Sequence, residues 1–500
     1  MKSKLEKLEN ILAEIADLNA ASGVLNWDQL VNMPIGAAED RGEQIATLEN
    51  IIHQKSTSDE LGQLLETLVQ DAEQLDADSD DACLIRVAKR NFDKAAKVPA
   101  DFVTEMARES TVAQSIWTSA KERSEFQMFR PHLEKLVELR RQYASFFEPW
   151  EHVYDPLLDD FEPGMQTREV KAIFDTLRPK LVELIRAIST SKKIDRSFLF
   201  LNYSEKEQLA FGEMVITKFG YDWNHGRQDK SAHPFTTNFG LNDVRITTRF
   251  KENYLPSAMF GSMHECGHAL YELGIDKKYN RSPLADGASM AIHESQSRLW
   301  ENLIGRSKPF WRHFFPILKK QFPSQLGNLE LEDFYKGINA VEPSFIRVEA
   351  DEATYNLHIM LRLEMEIALM EGSLLAKDAP EAWNAKFKEY LGIVPPDDAH
   401  GVLQDVHWSF GGFGYFPTYA LGNLVSVQLW EKMNRDLVNL DDQVGEARFE
   451  EILGWLRENV HTWGAKFEPQ VLVQKVTGSR ITPEPYMRYL ESKYKEIYDL

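Results

Sequence analysis

Apolar residues recur three and four positions apart along most of this chain, which predicts one helix after another. Leu5, Leu8, Ile11, Leu12, Ile15 and Leu18 line one helical face near the start, with acidic residues between them. Leu61, Leu64, Leu65 and Leu68 line another, behind a possible capping box made by Thr57 and Glu60. Pro99 separates two further helical stretches. Trp27-Asp28-Gln29 and Met33-Pro34, followed by Gly36 and Arg41, break the period and predict a packed turn between helices. The segment 148–165 contains prolines, a glycine and several acids, so it predicts a linker or an ordered loop. Thr167 then opens a helix with Val170, Ile173, Phe174, Leu177, Leu181, Leu184 and Ile185 on its buried stripe.

The pattern changes between 221 and 250. This stretch is β-branched and punctuated by Gly and Asn, and it alternates at Val244, Ile246, Thr248 and Phe250, which predicts a small sheet. Helices resume after Trp300, interrupted at 346–351 (IRVEAD) and at 401–423, where Gln404, Asp405, His407 and Trp408 precede a loop rich in glycine and aromatic residues. The expected fold class is mostly α with one small sheet.

Composition narrows the partners. The chain has 500 residues, 43% of them hydrophobic, which suffices for a large buried core. A net charge of −21 argues against nucleic acid or an anionic membrane surface as the partner. The first helix carries Glu and Asp throughout, so it does not resemble a secretory leader, and no apolar run approaches the ~18 residues needed to span a bilayer. The two cysteines, Cys83 and Cys266, cannot build a disulfide framework. A cytoplasmic protein is the expectation.

The chemistry concentrates at 259–300. His264-Glu265-x-x-His268 places two imidazoles four residues apart, on one face of one helix, where both can bind the same zinc ion. Composition alone would produce this pattern about 0.05 times in a chain of this length, so chance is a weak account of it. Met259, Met263, Ala269, Leu270 and Leu273 support a helix there, with Gly274 as its C-cap. A catalytic zinc takes a third protein ligand and keeps a position open for water. Glu294 is the best candidate, on a second amphipathic helix that begins near Asp286; His293 and Glu272 are rivals, and Glu272 suits a supporting position better than ligation. Glu265 follows the first histidine directly and is placed to act as general base. Tyr415, Tyr419 and His407 are candidates to stabilise the oxyanion. Asp243 and Arg245 can form an ion pair or serve a substrate.

HPF at 233–235, DVRIT at 243–247, HECGH at 264–268, HESQ at 293–296, IRVEAD at 346–351 and GVLQDVHW at 401–408 together resemble the carboxypeptidase Taq family of metallocarboxypeptidases. WDQ and MP-x-G near residue 27 extend the resemblance over nearly the full chain. It implies a helical fold similar to neurolysin and angiotensin-converting enzyme, with a deep central groove between two helical halves and the sheet beside the metal. It also implies one catalytic unit over residues 1–500, a homodimer, zinc or sometimes cobalt, and release of single C-terminal residues from peptides with broad specificity. In that setting Arg347 is the first choice to hold the peptide's α-carboxylate and Arg245 the second, with His233 among the substrate-facing residues. The alternatives are an endo-acting zinc oligopeptidase on the same scaffold and a non-enzymatic helical protein with a structural zinc.

Overall fold

Helix dominates because the apolar spacing runs almost unbroken from cap to cap, and the computed structural model, which describes residues 1–500, contains only three short strands. The chain forms two units, each assembled from three separated stretches. Met1–Ala96, Asp195–Ile338 and Leu429–Gly478 make the first; Lys97–Ile194, Asn339–Gln428 and Ser479–Leu500 make the second. No helix is long and apolar enough to cross a membrane.

In the first unit the N-terminal helix runs Lys2–Val31 and includes Trp27, Asp28 and Gln29, which the sequence pattern assigned to a break. Tertiary contacts extend it. The guanidinium groups of Arg245 and Arg227 lie 4.4 and 5.2 Å from the centre of the Trp27 ring, and Asp28 pairs with Arg41 at 2.7 Å. The expected box on Thr57 and Glu60 is not what caps the third helix, Asp59–Ala72. Thr57 Oγ1 donates back to the His53 carbonyl, while the Ser58 hydroxyl accepts from the Leu61 N–H at 3.3 Å. Leu5, Leu8, Leu61, Leu65, Leu68, Leu84 and Ile85 form a core that also takes in Tyr279 and Leu284, so these helices pack under the segment that follows the histidine motif.

The sheet consists of β1 (Gln228–Lys230), β2 (Thr236–Asn238) and β3 (Val244–Thr248), in the order β1-β3-β2, with β1 parallel and β2 antiparallel to the central β3. Val244, Ile246 and Thr248 are buried as their alternation predicts, but Phe250 lies beyond the strand. Thr247 is buried as well, because its Oγ1 meets the Ser231 hydroxyl at 2.7 Å and accepts from the Phe235 N–H at 3.0 Å. Gln228 Nε2 donates to Ser262 Oγ at 2.8 Å, which ties β1 to the helix that carries the histidines.

In the second unit 148–165 is packed structure rather than a boundary linker. Tyr154, Leu157, Leu158, Glu162 and Met165 are buried around a short helix, Asp155–Asp159, and the unit boundaries fall elsewhere. Its proline and glycine content marks a compact turn. The turns at 401–415 are equally fixed, and the rest of the expected loop, from Phe416 on, is the start of a helix, Phe416–Asp436: the Glu366 carboxylate accepts from the Tyr154 hydroxyl at 2.5 Å, the Trp408 indole at 2.9 Å and the Gly414 N–H at 3.0 Å. Gly414 has φ +95°, and a Cβ there would sit 2.2 Å from the Leu157 carbonyl oxygen, so both conformation and space require glycine.

Candidate metal centre

Two helices of the first unit build the site. The motif helix, Leu255–Gly274, begins with Pro256 in its first turn, where a missing N–H costs nothing, and it buries apolar side chains on most of its circumference. The second, Met290–Arg298, starts later than the expected Asp286. Asp286 turns the chain by accepting the Gly287 N–H, and the Ser289 hydroxyl caps the helix by accepting from the Ile292 N–H at 3.1 Å. The two helices approach closely at Gly267, where a Cβ would lie 2.6 Å from Ser297 Cα and 2.7 Å from the Gln296 carbonyl oxygen. That contact sets how near Glu294 comes to the histidines.

His264 Nε2 and His268 Nε2 lie 3.5 and 3.4 Å from Glu294 Oε2, so three donor atoms converge on one point. The far side of each ring is also occupied. His264 Nδ1 is 2.9 Å from Glu301 Oε2, and His268 Nδ1 is 2.5 Å from His293 Nδ1. Glu301 is itself held by Arg298 and Arg306, each at 3.2 Å. It reaches His264 from a π-turn, Leu299–Ile304, that continues the second helix. Glu294 accepts from Arg298 Nε at 2.6 Å and from the Ser297 hydroxyl at 3.0 Å. Burial opposes its charge, but Arg298 and the two imidazoles outweigh burial and hold its carboxyl well below the usual range. Two imidazoles and an ionised carboxylate, with their outer hydrogen bonds already made, fit a divalent hydrolytic metal.

Glu265 is buried beside this group. Burial raises its pKa, against the pull of His264 and the Thr236 hydroxyl, which donates to Glu265 Oε2 at 2.7 Å. Of the rival ligands, His293 stands behind His268 with its Nε2 2.6 Å from Glu272 Oε1, so neither joins the converging donors. Sequence reasoning missed Thr236, Gly267, Arg298, Glu301 and Arg306. A threonine following HPF and a glycine inside a strong helix were the available signals.

The remaining candidates are placed as follows. Arg245 makes two 2.8 Å bonds to Asp243 and lies against Trp27 and Phe239, while His233 is exposed. In the second unit Arg347 is buried, with Nε 3.0 Å from Asp405 Oδ1 and Nη1 3.0 Å from the Tyr355 hydroxyl. Arg362 Nε binds the other oxygen of Asp405 at 2.7 Å. The Tyr419 ring centre is 4.9 Å from the Arg347 guanidinium, and its hydroxyl is 3.3 Å from His407 Nε2. The Tyr415 and His407 rings stand 5.4 Å apart. Burial lowers the His407 pKa to about 4, so the ring is neutral at pH 7.

Residues 7–494 match the family model described as carboxypeptidase Taq (M32) metallopeptidase. The chain is 41% identical to thermostable carboxypeptidase 1 of Thermus thermophilus, over 97% of each chain. It is 38% identical to carboxypeptidase 1 of Bacillus subtilis, over 98% of this chain and 97% of the relative. Among solved structures, the M32 carboxypeptidase of Deinococcus radiodurans R1 superposes with a TM-score of 0.97 at 39% identity, covering 100% of both chains.

Proposed function

Because this chain belongs to the carboxypeptidase Taq (M32) metallopeptidase family, we propose that it is a metal-dependent carboxypeptidase that releases single C-terminal residues from peptides with broad specificity. The observation that supports the reading most is the convergence of His264 Nε2, His268 Nε2 and Glu294 Oε2 with both distal imidazole nitrogens already engaged. A divalent cation held by these three residues supplies Lewis-acid polarisation of the scissile carbonyl and makes water acidic enough to lose a proton near neutral pH.

The chain's own residues do the rest. Thr236 holds Glu265 Oε2, which leaves Oε1 to accept the proton of the attacking water and return it to the leaving amine. Arg298 and Ser297 keep Glu294 ionised and oriented, and Glu301 orients His264. Arg347, kept charged by Asp405, is the proposed reader of the peptide's free carboxylate. His407, Tyr415 and Tyr419 are the proposed hydrogen-bond donors to the peptide, and Arg245 and His233 are further proposed contacts. The same reading takes zinc as the metal, cobalt as its alternative, a homodimer as the assembly and the cytoplasm as the location.

Paired variants test it. Glu265→Gln keeps shape and metal but lowers hydrolysis about 10²–10⁴-fold, as loss of a general base does. Glu294→Ala loses the metal on dialysis as well as activity. Full activity of Glu265→Gln at normal metal content, or full metal retention by Glu294→Ala, overturns the assignment.

A further inference from the structure

His293 fell among the possible ligands by sequence, yet it stands behind His268 rather than beside it. The geometry points to a positioning role instead, in which His293 fixes the tautomer and ring plane of His268 and Glu272 fixes His293 in turn. This inference rests on the reading of His268 as a metal ligand.

The hydrogen bonds allow one consistent assignment. A metal held between His268 Nε2 and Glu294 Oε2, which lie 3.4 Å apart, would take the Nε2 lone pair, so the proton of the neutral ring then sits on Nδ1. That proton has one acceptor within reach, His293 Nδ1 at 2.5 Å. His293 must then carry its own proton on Nε2, which is 2.6 Å from Glu272 Oε1. The Glu272 oxygen accepts that proton and completes the chain in this direction. His264 has a shorter arrangement, because Glu301 meets its Nδ1 directly.

Packing holds the His293 ring in place for this work. The ring lies 5.2 Å from Tyr271, centre to centre, and the Tyr271 hydroxyl accepts from the Ala288 N–H at 3.0 Å. That bond draws the preceding turn over both rings: a Cβ on Gly287 would come within 3.0 Å of His293 Cδ2 and 3.1 Å of Tyr271 Cε1. His268 and Glu272 belong to the motif helix, and His293 precedes Glu294 on the second helix. The relay therefore also links a ligand on one helix to the neighbour of a ligand on the other.

Two measurements test the assignment on the full-length, zinc-loaded protein. The first reads zinc affinity by competition with a chromogenic chelator. His293→Leu, which removes the acceptor but keeps bulk, raises the zinc dissociation constant about 10–100-fold, as loss of such supporting partners does. His293→Asn, which returns an oxygen acceptor near Nδ1, recovers most of it. Equal affinities for the two variants, or undiminished affinity of His293→Leu, refute the relay. The second needs no substitution and serves if the variants do not fold: two-bond ¹⁵N–¹H correlations of histidine-labelled protein show His293 as the neutral Nε2–H tautomer, and an Nδ1–H or doubly protonated ring overturns the inference. Glu294→Ala separates the two levels. If it keeps zinc, the ligand reading itself has failed; if it loses zinc while His293→Leu does not, only the relay has.

Discussion

Gly267→Ala is a one-carbon change that tests whether the approach of two helices sets the metal centre. The added Cβ would sit 2.6 Å from Ser297 Cα and 2.7 Å from the Gln296 carbonyl oxygen. Carbon atoms in contact prefer about 3.5–4.0 Å, so the shortfall is roughly 1 Å. The opposing atoms are backbone, and no rotamer change relieves the clash. Alanine gains up to about 1 kcal/mol of helix propensity over glycine, whereas overpacking of this kind costs about 1–3 kcal/mol, so the net effect on stability is small or unfavourable. The larger effect is geometric. Glu294 lies one turn before Ser297 and retreats with it, and a displacement near 1 Å at reacting groups costs on the order of 10²-fold in rate. Chelator competition, a thermal melt and peptide hydrolysis on the same preparation separate these effects. The expected result is a weakened metal complex and a hundred-fold slower enzyme with nearly unchanged melting of the metal-free protein. A variant that melts higher and retains full metal affinity and rate would show that this contact does not set the distance between the donors.

Other expectations concern Thr236 and Glu366. Thr236→Val removes the hydroxyl that holds Glu265, and it should leave metal affinity intact while slowing hydrolysis about ten-fold, the equivalent of one hydrogen bond of roughly 1–1.5 kcal/mol; a loss of metal instead would make Thr236 part of the scaffold. Burial pushes Glu366 up to about 7, against its hydrogen bonds from Tyr154, Gly414 and Trp408. A carboxyl whose folded pKa is raised contributes stability that is complete below the unfolded value near 4.5 and is lost as pH rises through 7. The full change is about 3 kcal/mol, and Glu366→Gln should gain on the parent by that order between pH 5 and 8 in denaturant melts; parallel profiles would refute it.

The histidine motif was legible because helical geometry alone puts His264 and His268 on one face, and Val244, Ile246 and Thr248 disclosed β3 by alternation. Local chemistry was read less well where neighbouring residues compete. Ser58 caps in place of Thr57, and Ser289 starts the second helix that Asp286 was expected to start. What distant partners decide was not readable. Trp27 remains helical amid arginines from the sheet region, and the turns at 148–165 pack instead of linking. Arg347 pairs with Asp405, 58 residues away along the chain. Glu301 reaches His264 through a π-turn, which leaves no compositional trace.

The most direct test of exo-acting carboxypeptidase chemistry is a mass-spectrometric time course with the metal-loaded protein on one peptide, supplied as the free acid and as the C-terminal amide. A reader of the free α-carboxylate gives successive loss of single residues from the acid and leaves the amide nearly intact, a difference on the order of 2–5 kcal/mol for loss of a buried charge-assisted contact. Equal consumption of both peptides, or internal fragments appearing first, would contradict the carboxypeptidase assignment and indicate an endo-acting oligopeptidase.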